Sequence, residues 1–405
     1  MHLPQYVKQT LEQLNDKGYS AYLVGGCVRD TLMGREPHDF DITTNALPDE
    51  IQEVFKDEKT LDIGKKHGTI TVVYGKECVE VTTYRIDGEY GDNRHPKSVE
   101  FTDNIELDLK RRDFTVNAIA YSPRQGYCDP FGGKEDINKK LIRCVGDADE
   151  RFNEDGLRIM RGVRFAATLG FGIEEKTSTS MKQNAFLLKN ISAERINTEF
   201  TKLLCGVNAG KILSEYGEVI SVFIPEMLCC DDDKRRIAFE AVNKCDADKL
   251  CRMCVFFGMF DDSNTVESIL KRLKYDNKTV KTVTDVCSLL NMEHINDKVC
   301  IKKTVSKAGF DNTRLLYRTL SAIDGNNSEK YVSMIDTVDE IQRTKQCVSV
   351  SMLDIDGKII MDKLGVEGKK IASVLSFLLE EVITEKCENV LSELLDTAIN
   401  FWSEE

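Results

Sequence analysis

Proline is confined almost entirely to the first third of this 405-residue chain: six of the seven prolines lie at or before Pro130, and only Pro225 follows. Because proline breaks a helix interior, a long stretch almost without it favours helices. Beyond about residue 145, apolar side chains recur at three- and four-residue spacing, which predicts helices at 157–169, 192–204, 266–273, 315–323 and 371–382. We therefore predict an all-helical second part.

The earlier residues show a different pattern, in which short apolar runs alternate with glycine. A helical period over 3–14 is followed by strand-like runs at 20–24, 39–43, 68–74 and 78–85. Gly75 and Lys76 separate the last two runs and predict a hairpin turn. The predicted fold class is α+β, with a small mixed sheet and helices in an amino-terminal head.

Composition limits the class of protein. The 41% hydrophobic content is enough for packed cores, and no window holds the ~18 uncharged apolar residues that a membrane helix needs. The first five residues lack the basic and apolar regions of a signal peptide. We therefore predict a cytoplasmic protein with no membrane partner.

Charge is distributed unevenly around the net value of −13. Residues 1–150 carry −8 and residues 351–405 carry −7, whereas residues 151–350 carry +2. The charge of the middle of the chain is therefore compatible with binding to a nucleic acid.

Fourteen cysteines are spread singly from Cys27 to Cys387. The densest stretch, 229–254, lacks a second Cys-x-x-Cys pair at zinc-finger spacing. The pattern therefore predicts buried free thiols rather than a metal site or a disulfide framework.

The first chemical motif follows the first predicted strand, where residues 25–30 read Gly-Gly-Cys-Val-Arg-Asp. Paired glycines let backbone N–H groups approach an anion, and Arg29 in the next helical turn offers donors to a phosphate. Asp39 and Asp41 are two apart on a predicted strand, so both carboxylates should leave the same face. Such a pair can hold Mg²⁺ against substrate phosphates, with Glu80 on a neighbouring strand as candidate third ligand.

Two further polar clusters come later in the chain. Residues 111–118 read Arg-Arg-Asp-Phe-Thr-Val-Asn-Ala and combine donors for a triphosphate with an acceptor for a ribose hydroxyl. Residues 154–161 read Glu-Asp-Gly-Leu-Arg-Ile-Met-Arg and open a predicted helix. There Asp155 and Arg158 are three residues apart, which predicts that they share a helix face.

The order of these motifs resembles the class II tRNA nucleotidyltransferases, the bacterial-type CCA-adding enzymes of the polymerase-β-like nucleotidyltransferase superfamily. Residues 129–133 (Asp-Pro-Phe-Gly-Gly) are similar to that family's head-to-neck element, and residues 193–204 are similar to its last motif. The resemblance covers roughly the first 205 residues. It implies a polymerase-β-like nucleotidyltransferase head followed by an all-α neck, body and tail.

The resemblance also implies roles for individual residues. Asp39 and Asp41 would bind catalytic Mg²⁺ ions in a two-metal mechanism, and Asp113 would meet the ribose 2′-hydroxyl. Asp155 and Arg158 would read the incoming base, so that the protein itself serves as template. The other residues implied to hold the nucleotide are Gly25, Gly26, Arg29, Arg112, Asn117 and Arg161.

The implied base reading is chemically consistent with CTP and ATP as substrates. Cytosine and adenine both present a ring-nitrogen acceptor beside an amino donor, which suits an arginine and an aspartate. Guanine and uracil reverse these groups and would leave buried charges unpaired, at about 1–3 kcal/mol for each group.

Related enzymes with the same head include poly(A) polymerases and enzymes that add only CC or only A. Residues 64–69 (Gly-Lys-Lys-His-Gly-Thr) resemble the CCA-adding pattern, and residues 83–90, continuing through 94–96, look like the flexible loop required for A addition. The resemblance therefore implies addition of C, C and A to the 3′ end of tRNA, with release of pyrophosphate. The alternative interpretation, an A-adding enzyme that works with a separate CC-adding enzyme, stays open.

Four regions follow from the resemblance: a catalytic head (1–142), a base-recognising neck (143–205), a tRNA-binding body (206–345) and a tRNA-binding tail (346–405). Residues 352–375 are similar to the tail of Gram-positive-type enzymes. Within them, Lys369 and Lys370 precede a predicted helix and are candidate phosphate contacts. The implied partner is the 3′ end and upper half of tRNA, and no DNA partner is expected.

Overall fold

A computed structural model describes residues 3–37, 39–88 and 99–404. Its contacts divide the chain into two compact units, Met1–Cys229 and Cys230–Glu405. The first unit thus continues past residue 205, the predicted end of the neck, and the four-region division stays a prediction.

The first unit is built on a mixed β-sheet. Its strands are β1 (Ala21–Val24), β2 (Asp41–Thr44), β3 (Lys59–Leu61), β4 (Thr69–Tyr74), β5 (Glu77–Thr83), β6 (Arg85–Asp87), β7 (Val99–Phe101), β8 (Ala120–Ser122), β9 (Gly126–Cys128), β10 (Leu141–Ile142) and β11 (Gly172–Ile173). Seven of them form one sheet in the order β3-β4-β5-β2-β1-β8-β9. Strand β2 lies at its centre, antiparallel to β1 and parallel to β5.

Helices pack against this sheet and extend the first unit. They are α1 (Gln5–Asp16), α2 (Gly26–Leu32), α3 (Pro48–Val54), α4 (Ile105–Lys110), α5 (Gly133–Lys139), α6 (Ala148–Glu154), α7 (Leu157–Leu169), α8 (Glu175–Gln183), α9 (Ala193–Leu204), α10 (Ala209–Glu215) and α11 (Gly217–Ser221). Helix α7 buries ten of its thirteen side chains and packs against α9. It ends at Gly170, whose φ of +73° permits the left-handed cap that stops a helix.

The second unit is helical throughout its described residues. Its helices are α12 (Asp232–Ala241), α13 (Lys249–Phe257), α14 (Ser263–Arg272), α15 (Asn277–Leu290), α16 (Lys298–Ala308), α17 (Phe310–Ile323), α18 (Ser328–Arg343), α19 (Gly357–Leu364), α20 (Lys369–Ile383) and α21 (Leu391–Glu404). The last three pack around a common apolar core that includes Ile360, Leu378 and Leu394. None of the described helices is long and apolar enough to cross a membrane.

Aspartate begins most helices of the second unit. The N-cap carboxylate accepts backbone N–H bonds at the starts of α12, α13, α14, α15, α16 and α19. Each cap satisfies donors that have no partner inside the helix, and the negative charge also suits the helix dipole. Each cap contributes about 1 kcal/mol, which explains how a stretch with weak apolar periodicity still specifies separate helices.

The predicted fold class is confirmed: a mixed sheet with helices is followed by a helical remainder. The hairpin at Gly75 joins β4 to β5, and the 157–169 helix has the predicted bounds. All fourteen cysteines are free thiols, as predicted, but only seven of them are buried; five are half-buried, and Cys78 and Cys229 are exposed. One detail was wrong: β2 begins at Asp41, so Asp39 precedes the strand instead of lying on it.

Gly133→Ala is expected to lower the free energy of unfolding by about 3 kcal/mol. A Cβ at Gly133 would lie 2.2 Å from the backbone oxygen of Thr115 and 2.7 Å from the Ile119 side chain, so backbone must shift. Gly172→Ala is the matched control, because its nearest contact is an ordinary 4.0 Å. Urea unfolding of the three proteins gives the comparison, and equal midpoints for both variants would contradict it.

Candidate active site

A glycine turn connects β1 to α2 at one end of the central strands. Gly25 has a φ of +73°, a backbone conformation that is strained for any residue with a side chain. A Cβ at this position would lie 3.4 Å from Nη1 of Arg112. The positive φ accounts for glycine at this position, and the Arg112 guanidinium lies next to the turn. Arg29, one helical turn later, is buried with its guanidinium 5.3 Å from the Phe165 ring centroid.

Sheet register brings the predicted carboxylates to this turn. Asp41 is paired with Val24 of β1, the residue before the glycines, and with Glu80 of β5. Asp39, Asp41 and Glu80 are all exposed. The prediction that Glu80 stands on a strand beside Asp41 is therefore confirmed in its register.

These carboxylates act on one another electrostatically. Partial desolvation raises the pKa of Asp41, and the charges of Glu80 and Asp39 raise it further, while Arg112 opposes the rise. Concentrated negative charge on hard oxygen atoms is the donor chemistry that Mg²⁺ prefers. The described residues contain no group of three side chains already arranged to hold a metal, so the ligand role of Glu80 stays a prediction.

A fully buried carboxylate holds the two neighbouring arginines. Asp108 accepts from Arg111 at 2.8 Å and from Arg112 at 3.3 Å. Burial alone would raise the pKa of Asp108, but the two guanidinium groups outweigh it and the net pKa is lowered. Nε of Arg112 is buried without a hydrogen-bond partner among the described residues. Arg112 is thus fixed beside Gly25 with donor capacity to spare.

Asn117 connects the glycine-turn helix to the second motif. Its amide oxygen accepts from Nη1 of Arg29 at 2.7 Å, and its amide nitrogen donates to Asp113 at 3.2 Å. Asn117 lies in a 3₁₀ turn, Thr115–Asn117, that packs against α2 and α5. Arg29, Asn117 and Asp113 therefore form one buried polar chain.

The chain of polar contacts continues into α7 and α9. Asp113 accepts from Arg161 at 2.6 Å, and Glu199 accepts from Arg164 at 2.8 Å and faces Arg161 at 3.9 Å. Both arginines stack near the Phe165 ring. We call the set Arg29, Asn117, Asp113, Arg161, Glu199 and Arg164 the polar network.

Asp113 is already well occupied by protein donors. One carboxylate oxygen accepts from the Phe114 N–H and from Asn117, and the other accepts from Arg161. Burial would raise the pKa of Asp113, but Arg161 and these hydrogen bonds lower it to about 2. The predicted contact with a ribose hydroxyl stays a prediction.

The low pKa of Asp113 predicts a loss of stability in acid. The ordinary pKa of 3.8 applies to the unfolded chain, so the folded state gains about 2 kcal/mol from ionised Asp113 at pH above 4. This contribution should disappear as the pH falls from about 4 to about 2. Urea midpoints of the wild type and Asp113→Asn between pH 5 and pH 2.5 measure it. The difference between the two proteins should shrink in acid, and a constant difference would refute the assignment.

Asp155 and Arg158 occupy different positions from those predicted. Asp155 precedes α7 rather than lying on it, so the two residues are not on one face of that helix. The Asp155 carboxylate accepts from the Leu157 N–H and forms a 2.8 Å ion pair with Arg195 of α9. Arg158 is buried and donates to Glu154 and to the backbone oxygens of Arg151 and Arg111.

Sequence reasoning missed the partners that hold these motif residues. Arg195 and Glu199 were noted only as part of a motif, and Glu154 and Arg164 were given no role. The Arg195–Asp155 pair spans 40 residues in sequence. The signal that could have suggested it is the helical spacing of Arg195 and Glu199, which puts both on one face of α9.

The remaining predicted site residues belong to two separate regions, one in each unit. Gly68 ends the turn Lys65–His67, and the backbone oxygen of His67 accepts from Arg85 at the start of β6. The predicted flexible loop lies largely outside the described residues, which stop at 88 and resume at 99. In the second unit, Lys369 and Lys370 are exposed at the start of α20, with Lys370 4.9 Å from the Trp402 ring.

Comparison with known proteins agrees with this geometry. Residues 21–143 match the family model described as "Poly A polymerase head domain", and residues 252–398 match one for tRNA nucleotidyltransferase domain 2. Residues 170–226 match "Probable RNA and SrmB- binding site of polymerase A". A Staphylococcus aureus (strain Newman) CCA-adding enzyme is 34% identical over 397 residues, which is 96% of both chains. The chain belongs to the CCA-adding enzyme family.

Other CCA-adding enzymes match more strongly over less length. Those of Geobacillus thermodenitrificans and Geobacillus kaustophilus are 51% and 54% identical, but over 53% and 48% of this chain. In these alignments the chain spans about half the length of the relatives. The CCA-adding enzyme of Bacillus stearothermophilus, solved in complex with CTP, is 30% identical with a TM-score of 0.85, covering 99% of this chain and 98% of that one.

Proposed function

We propose that this chain adds C, C and A to the 3′ end of tRNA, using CTP and ATP and releasing pyrophosphate. Two observations carry the proposal: Asp41 stands beside the Gly25 turn and Arg112, and the chain aligns along 96% of its length with a CCA-adding enzyme. The first feature supports nucleotidyl transfer, and the second narrows it to this substrate class.

In this proposal the carboxylates of Asp39 and Asp41 hold two Mg²⁺ ions, with Glu80 as a further ligand. When bound, the ions supply positive charge that lowers the pKa of the primer 3′-hydroxyl and stabilises the leaving pyrophosphate. The exposed oxygens of Asp39 and Asp41 are available for this role. Arg112 opposes the negative charge of Asp41.

The triphosphate would lie against the glycine turn, Gly25 and Gly26. Arg112 is the principal side-chain donor in this proposal, because its guanidinium lies beside Gly25 and its side chain stays partly exposed. Arg29 is held by Asp30 and Asn117, so it contributes positive charge from a fixed position. Buried, preoriented cations of this kind stabilise developing negative charge more strongly than mobile surface lysines do.

Asp155 and Arg158 would read the base, and the contacts of each residue within the first unit would position it. Arg195 and the Leu157 N–H fix the Asp155 carboxylate as an acceptor for an amino group. Arg158 must exchange its contact with Glu154 for the ring nitrogen of the base. Arg161 and Asn117 both donate to the Asp113 carboxylate and would act on the nucleotide by positioning Asp113, the residue that would meet the ribose.

The upper half of tRNA would be held by the predicted body (206–345) and tail (346–405), with Lys369 and Lys370 at phosphate groups. The tRNA binding, the lack of a DNA or membrane partner, and the cytoplasmic location stay predictions from the sequence.

Replacing Lys369 and Lys370 together by alanine is expected to weaken tRNA binding about 10-fold at low salt. The slope of log Kd against log salt should fall by about two, because each exposed ammonium would neutralise one phosphate. The double arginine variant keeps both charges and serves as the control. Fluorescence titration at several salt concentrations measures the slope, and an unchanged slope would remove these residues from the interface.

Nucleotide incorporation tests the proposed reaction directly. Purified protein is given Mg²⁺ with CTP alone, ATP alone or both, using tRNA that ends at the discriminator base and tRNA that ends in CC. We expect CC from CTP and one further A when ATP is present. One A on the CC-ended tRNA without any C addition would establish an A-adding enzyme instead. Long A runs on unrelated RNA would overturn both in favour of a poly(A) polymerase.

A further inference from the structure

Asp108 is the most deeply buried carboxylate of the described residues, with no exposed surface. It lies in α4, whereas its partners Arg111 and Arg112 follow the last residue of that helix. Oδ1 of Asp108 binds Arg111 at 2.8 Å, and Oδ2 binds Arg112 at 3.3 Å. Oδ1 also accepts from the backbone N–H of Arg85, the first residue of β6, at 3.3 Å. Asp108 therefore joins two neighbouring arginines and a strand, yet the proposed reaction gives it no role.

Stability alone is a weak explanation for this buried charge. Burial raises the pKa of Asp108, but the two guanidinium groups lower it further, so the carboxylate is ionised at neutral pH. A buried ion pair contributes little more to stability than apolar side chains of similar size, because both charges lose their contact with water. The charge of Asp108 is better explained by the position that it gives to its arginine partners.

Arg112 is the arginine whose position depends most on Asp108. Its bond from Nη2 to Asp108 is the only hydrogen bond of this guanidinium among residues 3–37, 39–88 and 99–404. The Nη1 side of the guanidinium lies beside the Gly25 turn, and 21% of the Arg112 side chain is exposed. An arginine without an anchor samples many rotamers, which a ligand must restrict when it binds. Asp108 reduces this entropic cost because it holds Arg112 in one orientation.

We propose that Asp108 is a positioning residue for triphosphate binding, which holds the Arg112 guanidinium in the orientation that receives the terminal phosphates of CTP and ATP. This inference rests on the proposed function, because it requires Arg112 to be a triphosphate donor. Base reading should be independent of the Asp108 charge. Arg158 contacts this region through the backbone oxygen of Arg111, at 3.0 Å, and a backbone acceptor remains when the carboxylate is replaced.

Titration calorimetry of CTP and CMP, without tRNA and in the presence of Mg²⁺, tests the proposal. The ratio of the two dissociation constants measures the contribution of the terminal phosphates, because both ligands share the base, the ribose and the first phosphate. Asp108→Asn is expected to lower this preference for CTP at least about 10-fold. A merely structural role would weaken both nucleotides in parallel, and the resulting unchanged ratio would overturn the proposal. Glu106→Gln removes the same charge at an exposed position of α4 and should keep the ratio.

A double-mutant cycle shows whether Asp108 acts through Arg112. Arg112→Gln should lower the preference for CTP over CMP by itself, and adding Asp108→Asn should lower it no further. Additive losses would mean that Asp108 acts on the triphosphate by another route, against the proposal. In Asp108→Asn the preference for CTP over UTP should stay within about 3-fold of the wild type. A parallel loss of both preferences would show that Asp108 maintains the whole nucleotide site, which would also contradict its specific role.

Urea unfolding establishes that each variant is folded before the titration. If Asp108→Asn does not fold, Asp108→Glu takes its place: it keeps the charge but displaces the carboxylate by one methylene. The preference for CTP over CMP should then fall by at least about 3-fold, and an unchanged preference would again refute the inference. A wild-type protein that binds CTP no more tightly than CMP would contradict the proposed function itself. A normal wild-type preference that persists in the Asp108 variants would contradict only the role of Asp108.

Discussion

Asp41→Asn is expected to reduce the rate of CTP incorporation by at least about 10³-fold, equivalent to about 4 kcal/mol of transition-state stabilisation. An amide keeps the shape of the side chain but removes the anionic oxygen that would hold Mg²⁺. Single-turnover incorporation at saturating CTP measures the chemical step. Asp39→Asn should have a similar effect, because Asp39 lies two residues before the start of β2 and its charge acts on Asp41.

Stability measurements distinguish this loss of chemistry from a loss of fold. Asp41 is exposed and lies among like charges, so its neutralisation should leave the free energy of unfolding unchanged or higher. Asp16→Asn, at an exposed surface ion pair with Arg124, is the control and should keep full activity. Activity of Asp41→Asn within 10-fold of the wild type would remove this residue from the catalytic centre.

Asp155→Asn is expected to reduce the preference for CTP over UTP by about 10- to 100-fold. The carboxylate can only accept from the amino group of cytosine, whereas an amide can also donate to the carbonyl of uracil. The ratio of kcat/KM for the two nucleotides on the same tRNA measures the change. An unchanged ratio, together with normal folding, would mean that another residue reads this edge of the base.

Arg195→Ala should reproduce part of this loss of selectivity, although Arg195 would act through Asp155 and would not contact the nucleotide itself. Its ion pair at 2.8 Å is what orients Asp155, so removal should lower selectivity and kcat more than it raises KM. Arg195→Lys should recover part of the selectivity through its charge. Thr198→Ala, at an exposed position of the same helix, is the matched control.

Local patterns were enough for many elements of the first unit but not for the contacts between them. The 157–169 helix and the β4–β5 hairpin follow from spacing and glycine alone, because both depend on neighbours in sequence. The pairing of Asp155 with Arg195 could not be read from spacing, since any of several arginines could reach that carboxylate. The packing of α7 against α9 determines that Arg195 is the arginine that pairs with Asp155.

The second unit was the least predictable region. Helices such as α12 and α16 were missed because polar residues dominate their exposed faces and leave weak apolar periods. Their aspartate caps, Asp231 and Asp297, were the overlooked signal.

The polar network has a consequence for exchanging parts between related enzymes. Asp113 and Asn117 precede residue 142, the predicted end of the head, while Arg161 and Glu199 follow it. A chimaera joined at residue 142 would therefore take the two halves of the polar network from different parents. If the residues of the two halves did not match, a buried charge would be left without its partner. A junction between residues 229 and 230 keeps every member of the cluster on one parent, so recombination should succeed there far more often.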